Sequence, residues 1–307
     1  VNVNSLAAIF AKGFLAGLVV CFALATVYLL SVRTVRKESD MKRITSARCI
    51  NCIPEVVPKK RSNNKKLKLL ITNKRIDWGF KQSILMIQSR LQQIMRRTGD
   101  KVLLITSTIP AEGKTMTSVN MALAFAQEGM KVALLDGDLR KPSVSELMKL
   151  PEGPGLTEYF RGESTPEEIQ VVKDGVTFFR AGQKKGKVSG LIDEEKMNSL
   201  LEKLRKEYDV ILMDAAPSYV FSDAMILSSY ADKVLYVVRV DKADAKEIRV
   251  GMNSFEEKEK LIGYVINRDT GGYISQSGYG YGRYGKYQKY RKYAELDEET
   301  MNTEDTL

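Results

Sequence analysis

The first strong pattern along the chain is a nearly unbroken apolar run from Gly13 to Val32. At about 20 residues it has the length a helix needs to cross a bilayer, and it is apolar all round rather than along one stripe. Arg33, Arg36, Lys37, Lys42 and Arg43 follow it directly, and Lys12 precedes it. That asymmetry predicts a transmembrane segment over 1–32 with everything after residue 33 on the cytoplasmic side, and Lys12 reaching to the outer interface. The competing reading is a fully buried helix of a soluble core. A cleaved leader fits less well, because no small-residue cleavage site leads into a cysteine-rich domain.

Residues 33–75 read as a polar, basic linker. Ile76, Trp78, Phe80, Ile84, Ile87, Leu91 and Ile94 then recur at mostly helical spacing, predicting a helix over 76–97. From Lys101 the pattern changes to short apolar strands at Val102–Thr106, Val132–Leu135, Val210–Met213, Val234–Val240 and Ile262–Ile266. Helical stretches fall between them at 116–127, 144–149, 194–206 and 223–230. Buried strands alternating with helices predict an α/β domain over 76–270, with a mainly parallel sheet covered on both faces. After Asn267 the periodicity stops. Residues 271–307 are a low-complexity tail, first rich in Tyr, Gly, Lys and Arg and then acidic, and disorder is expected there.

Composition narrows the chemistry. The 307 residues contain no histidine, which removes histidine bases, triads and most zinc and iron sites. Of the 3 cysteines, Cys21 lies in the apolar run, and Cys49 and Cys52 form a lone CxxC that reads as two small apolar residues in an extended segment rather than half of a metal site. A reducing, cytosolic setting fits this usage. The net charge of +10 is concentrated in 33–75 and in the tyrosine-rich stretch. Such an excess suits nucleic acid or an anionic membrane surface, and the apolar run favours the membrane.

The first predicted strand leads into Thr106-Ser107-Thr108-Ile109-Pro110-Ala111-Glu112-Gly113-Lys114-Thr115 and then a helix, the strand–loop–helix context of a P-loop. Backbone amides and the helix N-terminus there cradle phosphate oxygens. Lys114 supplies a cation for the β- and γ-phosphates, and Thr115 a hydroxyl for magnesium. Thr108 stands where the common pattern has its first glycine. Asp136, Asp138 and Arg140 end the second strand, and Asp214 ends the third. In an open parallel sheet the carboxyl ends of strands share one ligand crevice, so these carboxylates and the loop are expected to meet. There they can hold hydrated Mg²⁺ or take a proton from a nucleophile; helix capping is the bland alternative for any one of them.

Together these motifs resemble the bacterial tyrosine kinases of the capsule and exopolysaccharide type. The family's modified P-loop is matched by Pro110 and Glu112-Gly113-Lys114. Its second motif is matched by Asp136, Asp138 and Arg140, its Walker B aspartate by Asp214, and its C-terminal tyrosine cluster by Tyr273, Tyr279, Tyr281, Tyr284, Tyr287, Tyr290 and Tyr293. Residues 5–32 and Cys49-Ile50-Asn51-Cys52-Ile53-Pro54 are similar to the last membrane helix of a polysaccharide chain-length regulator and the Ile-Pro-ending strand that follows it in fused members. The Glu and Arg spacing used for ring assembly in the family is replaced around Trp78, Lys81 and Ile84. The usual proline-rich stretch is replaced by Val188-Ser189-Gly190-Leu191, and Ala215-Ala216-Pro217 follows Asp214.

The resemblance implies a P-loop NTPase fold and ATP-dependent autophosphorylation of the tail tyrosines, in the service of capsular or exopolysaccharide synthesis or export. It implies ATP and Mg²⁺ as cofactors, held by Pro110 through Met116 with Arg140 on phosphate and Asn267 on adenine. Asp136 would be the base, and Thr115, Asp138 and Asp214 would organise the metal. Implied partners are a second copy of the chain for trans-autophosphorylation, a membrane chain-length regulator or copolymerase, a cognate tyrosine phosphatase and the anionic face of the plasma membrane. Nucleic acid is not expected as a partner. Two alternatives stay open: a regulatory ATPase of the positioning type, whose P-loop has a signature lysine where this chain has Ile109, and a non-catalytic, ATP-binding copolymerase subunit.

Overall fold

The computed structural model describes residues 3–31, 34–56, 69–183, 190–256 and 259–269, with side chains of the first helix described for 10–24 and 26. The chain divides into two compact units, Val1–Thr34 and Val35–Leu307. The first is a single helix, α1 (Val3–Ser31), which begins ten residues before the apolar run because Leu6, Ala7, Ala8, Ile9 and Phe10 are equally compatible with helix. Among the described residues no helix is long and apolar enough to cross a membrane, so the expected span over 1–32 is met as a helix and not as a described membrane crossing.

In the second unit, strands β1 (Cys49–Pro54), β2 (Val102–Ser107), β3 (Val132–Asp136), β4 (Gln170–Lys173), β5 (Val176–Phe179), β6 (Val210–Asp214), β7 (Lys233–Arg239) and β8 (Leu261–Asp269) form one sheet among the described residues. Their order is β1-β8-β7-β2-β6-β3-β5-β4. Every pairing is parallel except the antiparallel edge pair β4–β5. The central strands are buried along their whole length, as their continuous apolar sequences require. Alternate residues feed opposite cores: Val102 and Leu104 join one layer, and Leu103 and Ile105 the other.

The helices close those two layers. The expected helix over 76–97 is α3 (Trp78–Thr98). Asp77 starts it by accepting from the Gly79 and Phe80 amides, at 2.9 and 3.4 Å, and Gly99 ends it in the left-handed region at φ 76°. α4 (Lys114–Gln127), α5 (Val144–Met148), α7 (Glu194–Glu207) and α8 (Asp223–Tyr230) lie where the periodicity predicts helices.

Three features differ from the expected organisation. Within 33–75, the short helix α2 (Glu38–Met41) and strand β1 belong to the second unit, and β1 extends the sheet by pairing with β8. Ile50 and Ile53 are buried there, an apolar signal outweighed in the sequence by the surrounding Lys and Arg. The β4–β5 edge and α6 (Leu156–Arg161) lie in a stretch too short in period to read. α9 (Ala245–Glu256) was legible in principle, since Ile248, Met252 and Phe255 recur at helical spacing and are buried.

Candidate active site

β2 lies between β7 and β6, and β6 adjoins β3. The loops leaving the carboxyl ends of β2, β3 and β6 therefore emerge side by side, at the place where an open parallel sheet binds ligands. The β2 loop turns into α4 through Gly113, which has φ 97°. Ala111 is also left-handed, at φ 68°. No side chain caps the first turn of α4, so its leading amides keep their capacity for an anion.

The loop is braced from inside. Glu112 is fully buried, and its carboxylate accepts from the Ile109 amide at 2.8 Å and the Arg239 amide at 3.2 Å. Burial pushes that carboxyl up to about 7, against the lowering effect of these amides. The Arg239 guanidinium donates to the Ala111 carbonyl at 3.0 Å, and the Asn267 side-chain amide donates to the Glu112 carbonyl at 2.7 Å. The ends of β7 and β8 thus tie down the loop that follows β2. Beneath it the Tyr236 hydroxyl donates to Thr108 Oγ1 at 3.2 Å, and burial raises Tyr236 above the ordinary range of a phenol.

The acidic residues converge on Lys114. Its Nζ lies 2.7 Å from Asp138 Oδ2 and 3.4 Å from Asp214 Oδ2. Burial disfavours the ammonium, but Asp214 and Asp138 outweigh it and raise Lys114 above its usual value. Asp214 also accepts from Thr115 Oγ1 at 2.6 Å and Ser118 Oγ at 3.0 Å. Asp136 stands opposite Asp214 in the β3–β6 register. One of its oxygens accepts from the Val144 amide at 3.2 Å, and the other, Oδ1, is buried with no hydrogen-bond partner. Burial and the neighbouring Asp214 hold Asp136 well above the usual carboxylate range. Asp214 is raised too, by burial, against the pull of Lys114.

The structure therefore gathers Glu112, Gly113, Lys114, Thr115, Asp136, Asp138, Asp214 and Asn267 around one loop, with Pro110 and Ala111 exposed on its rim and Met116 in the first turn of α4. Two of the residues expected to contact nucleotide have partners within the protein. Asn267 binds the loop backbone, and Arg140 pairs with Asp223 at the start of α8 and lies 4.5 Å over the Phe221 ring. Asp223 supplies a buried carboxylate close by, and a guanidinium satisfies it bidentately. Ser118, Arg239, Tyr236 and Asp223 were missed. Only Ser118 carried a local signal, four residues past Lys114 on the same helix face. The tail tyrosines at 273, 279, 281, 284, 287, 290 and 293 lie outside the described residues.

The residues suit a nucleotide with magnesium. Among the described residues no group of three or more Asp, Glu, Cys or His stands ready to ligate a metal. Mg²⁺ does not need one: it keeps several waters and takes one or two protein oxygens plus phosphates. Thr115 Oγ1, the Asp214 carboxylate beside it and the Asp138 carboxylate offer that donor set.

A protein-family model described as ParA, an NUBPL iron-transfer P-loop NTPase, matches residues 99–243. Tyrosine-protein kinase CpsD of Streptococcus pneumoniae is 34% identical over 184 residues, 56% of this chain and 78% of that protein. Tyrosine-protein kinase ptk of Acinetobacter johnsonii is 27% identical over 198 residues, 62% of this chain and only 27% of that protein. The kinase domain of the Escherichia coli tyrosine kinase ETK superposes with a TM-score of 0.65 at 26% identity, covering 72% of this chain and 90% of that domain. The chain thus spans about a quarter of the length of some curated relatives and most of the length of others.

Proposed function

The chain belongs to the bacterial tyrosine-protein kinase family, and from that premise we propose that it transfers the γ-phosphoryl group of ATP to tyrosines of its own 273–293 segment. The observation that carries this reading is the unpartnered, buried Oδ1 of Asp136 beside the Lys114, Asp138 and Asp214 cluster. A tyrosine hydroxyl, with a pKa of about 10, is a weak nucleophile at neutral pH and needs a positioned base. Asp136 has a free oxygen for that proton, and burial with the neighbouring Asp214 raises its affinity for it. As the tyrosine oxygen bonds to the γ-phosphorus, the bond to the bridging β–γ oxygen breaks and ADP departs. The phenolic proton passes to Asp136 Oδ1.

Lys114 and the amides opening α4 stabilise the charge on the transferring group. Thr115, Asp138 and Asp214 would hold Mg²⁺, which would supply charge neutralisation at the phosphate oxygens. With nucleotide present, Lys114 exchanges one of its carboxylate partners for phosphate. Repeated transfer adds roughly −1.5 to −2 charges per tyrosine, enough to reverse the sign of a basic tail and release it from an anionic surface.

The helix α1 and the basic residues after it support anchoring at the plasma membrane with the catalytic unit on the cytoplasmic side. A role in capsule or exopolysaccharide production, working with a membrane chain-length regulator, a second copy of the chain and a cognate phosphatase, follows from the family. The match to the ParA-type family over 99–243 keeps one further reading alive, an ATPase without a protein acceptor. Incubation with γ-labelled ATP and Mg²⁺ separates the two. Label on tyrosine that disappears with Lys114→Met supports the kinase, and phosphate release with no labelled protein supports the ATPase.

A further inference from the structure

The CxxC at 49–52 is unused by the chemistry above, and its geometry in β1 is unusual. In a regular strand, residues three apart face opposite sides. Here the register runs Cys49 opposite Tyr264 and Asn51 opposite Val265, so β1 carries one extra residue at its start. The consequence is visible in the packing. Ile50 and Ile53 both enter the core layer shared with α3, while Cys52 lies in the opposite layer and Cys49 packs against that same layer. The bulge thus turns two thiols that alternation would separate onto one face. The Cys49 thiol donates to the Asn51 carbonyl at 3.6 Å, and the nearness of Cys49, together with burial, raises Cys52. Cys49 is half-buried and Cys52 buried, so one thiol is reachable from solvent and the other stands behind it.

We propose that Cys49 and Cys52 are an oxidisable dithiol whose closure to a disulfide loosens the nucleotide loop through β8. The oxidant is hydrogen peroxide. The Cys49 thiolate attacks one peroxide oxygen, the S–O bond forms, the O–O bond breaks, and hydroxide leaves. The Cys52 sulfur then displaces the oxygen from Cys49: the S–S bond forms, the S–O bond breaks, and the Cys52 proton departs with that oxygen as water. Two thiols lose two electrons and the peroxide becomes two waters. The route to the site is short. Ile53 pairs with Asn267, whose side chain holds the Glu112 carbonyl of the loop. A disulfide prefers Cα atoms about 5.5–6 Å apart, whereas the bulge sets Cys49 and Cys52 opposite Tyr264 and Ile266, two residues of β8 or about 6.7 Å apart. Closing the bridge draws β1 in further and strains its register with the strand that carries Asn267.

The coupling rests on the nucleotide reading of 106–115; the thiol pairing does not. The test uses the full chain in detergent with Cys21→Ser, treated with hydrogen peroxide, alkylated and weighed, beside titration of a fluorescent ATP analogue. Expected are joint protection of both thiols with loss of two hydrogens, reversal by dithiothreitol, and affinity for the analogue weakened about three- to tenfold in the oxidised state, the scale of one lost hydrogen bond. The half-exposed Cys49→Ser variant, in the same background, should bind the analogue alike with and without peroxide. Independent alkylation of both thiols after peroxide overturns the pairing. A bridge that forms with unchanged affinity overturns the coupling. Failure of the reduced chain to bind the analogue overturns the nucleotide reading and the coupling with it, while the mass measurement still decides the pairing.

Discussion

The side-chain amide of Asn267 occupies the space that a β-carbon on residue 113 would need. Gly113 is therefore required twice, once for its left-handed φ of 97° and once for the approach of β8 to the loop. Gly113→Ala is expected to displace Asn267, release its bond to the Glu112 carbonyl and weaken ATP binding at least about tenfold, with a stability loss of about 1–3 kcal/mol. Calorimetric titration and thermal melting of the same preparation check this. Wild-type affinity in Gly113→Ala would show that the brace is dispensable.

Asp136 separates catalysis from stability. Its buried carboxyl is raised by burial and by Asp214, so between the ordinary value and the raised one the folded state binds a proton that the unfolded chain releases. The stability this provides is full below the ordinary value of 3.8 and is lost as pH rises toward the folded value. Asp136→Asn removes that pH dependence together with the proposed base. The turnover for tyrosine phosphorylation should fall about 10²- to 10⁴-fold, while the melting temperature of the nucleotide-free protein at pH 8 is maintained or rises. An unchanged turnover would assign the proton elsewhere.

Glu112 makes a second pH-dependent contribution with a defined window. Its carboxyl moves from 4.5 to about 7 on folding. Between those values the native state binds more protons than the unfolded chain, so stability declines as pH rises from 4.5 through 7. The decline is on the order of 2–3 kcal/mol. Gln at this position accepts only one of the two amides now bound to Glu112, those of Ile109 and Arg239. Urea unfolding of Glu112→Gln across this range should show a flatter pH profile on a lower baseline. A slope matching wild type would place the titration on another group.

Arg140 is tested by a double-mutant cycle. Its bond to Asp223 and its stacking on Phe221 bridge the β3 loop and the start of α8. Arg140→Ala and Asp223→Ala are each expected to destabilise the protein, and the double variant by less than their sum, with a coupling energy of about 1 kcal/mol. Strict additivity in denaturant unfolding would mean that the pair contributes nothing.

The alternation of buried strands with helices, the strand–loop–helix around Lys114, and the aspartates ending β3 and β6 were all legible in the sequence. Each is a local pattern: an apolar run too short for a helix, a glycine and lysine at a helix start, a carboxylate where a strand stops. The place of β1 in the sheet was not legible, because its pairing with β8 joins segments more than 200 residues apart and its apolar residues sit inside a basic stretch. Nor was the partner of Arg140, or the use of Asn267 as a brace, since a side chain's partner depends on which strand ends the fold sets side by side. The sequence by itself determined which groups could do phosphoryl chemistry. Only the tertiary structure decided which of them meet: parallel pairing brought β2, β6 and β3 together, placed Asp136 opposite Asp214, and left one oxygen of Asp136 without a partner.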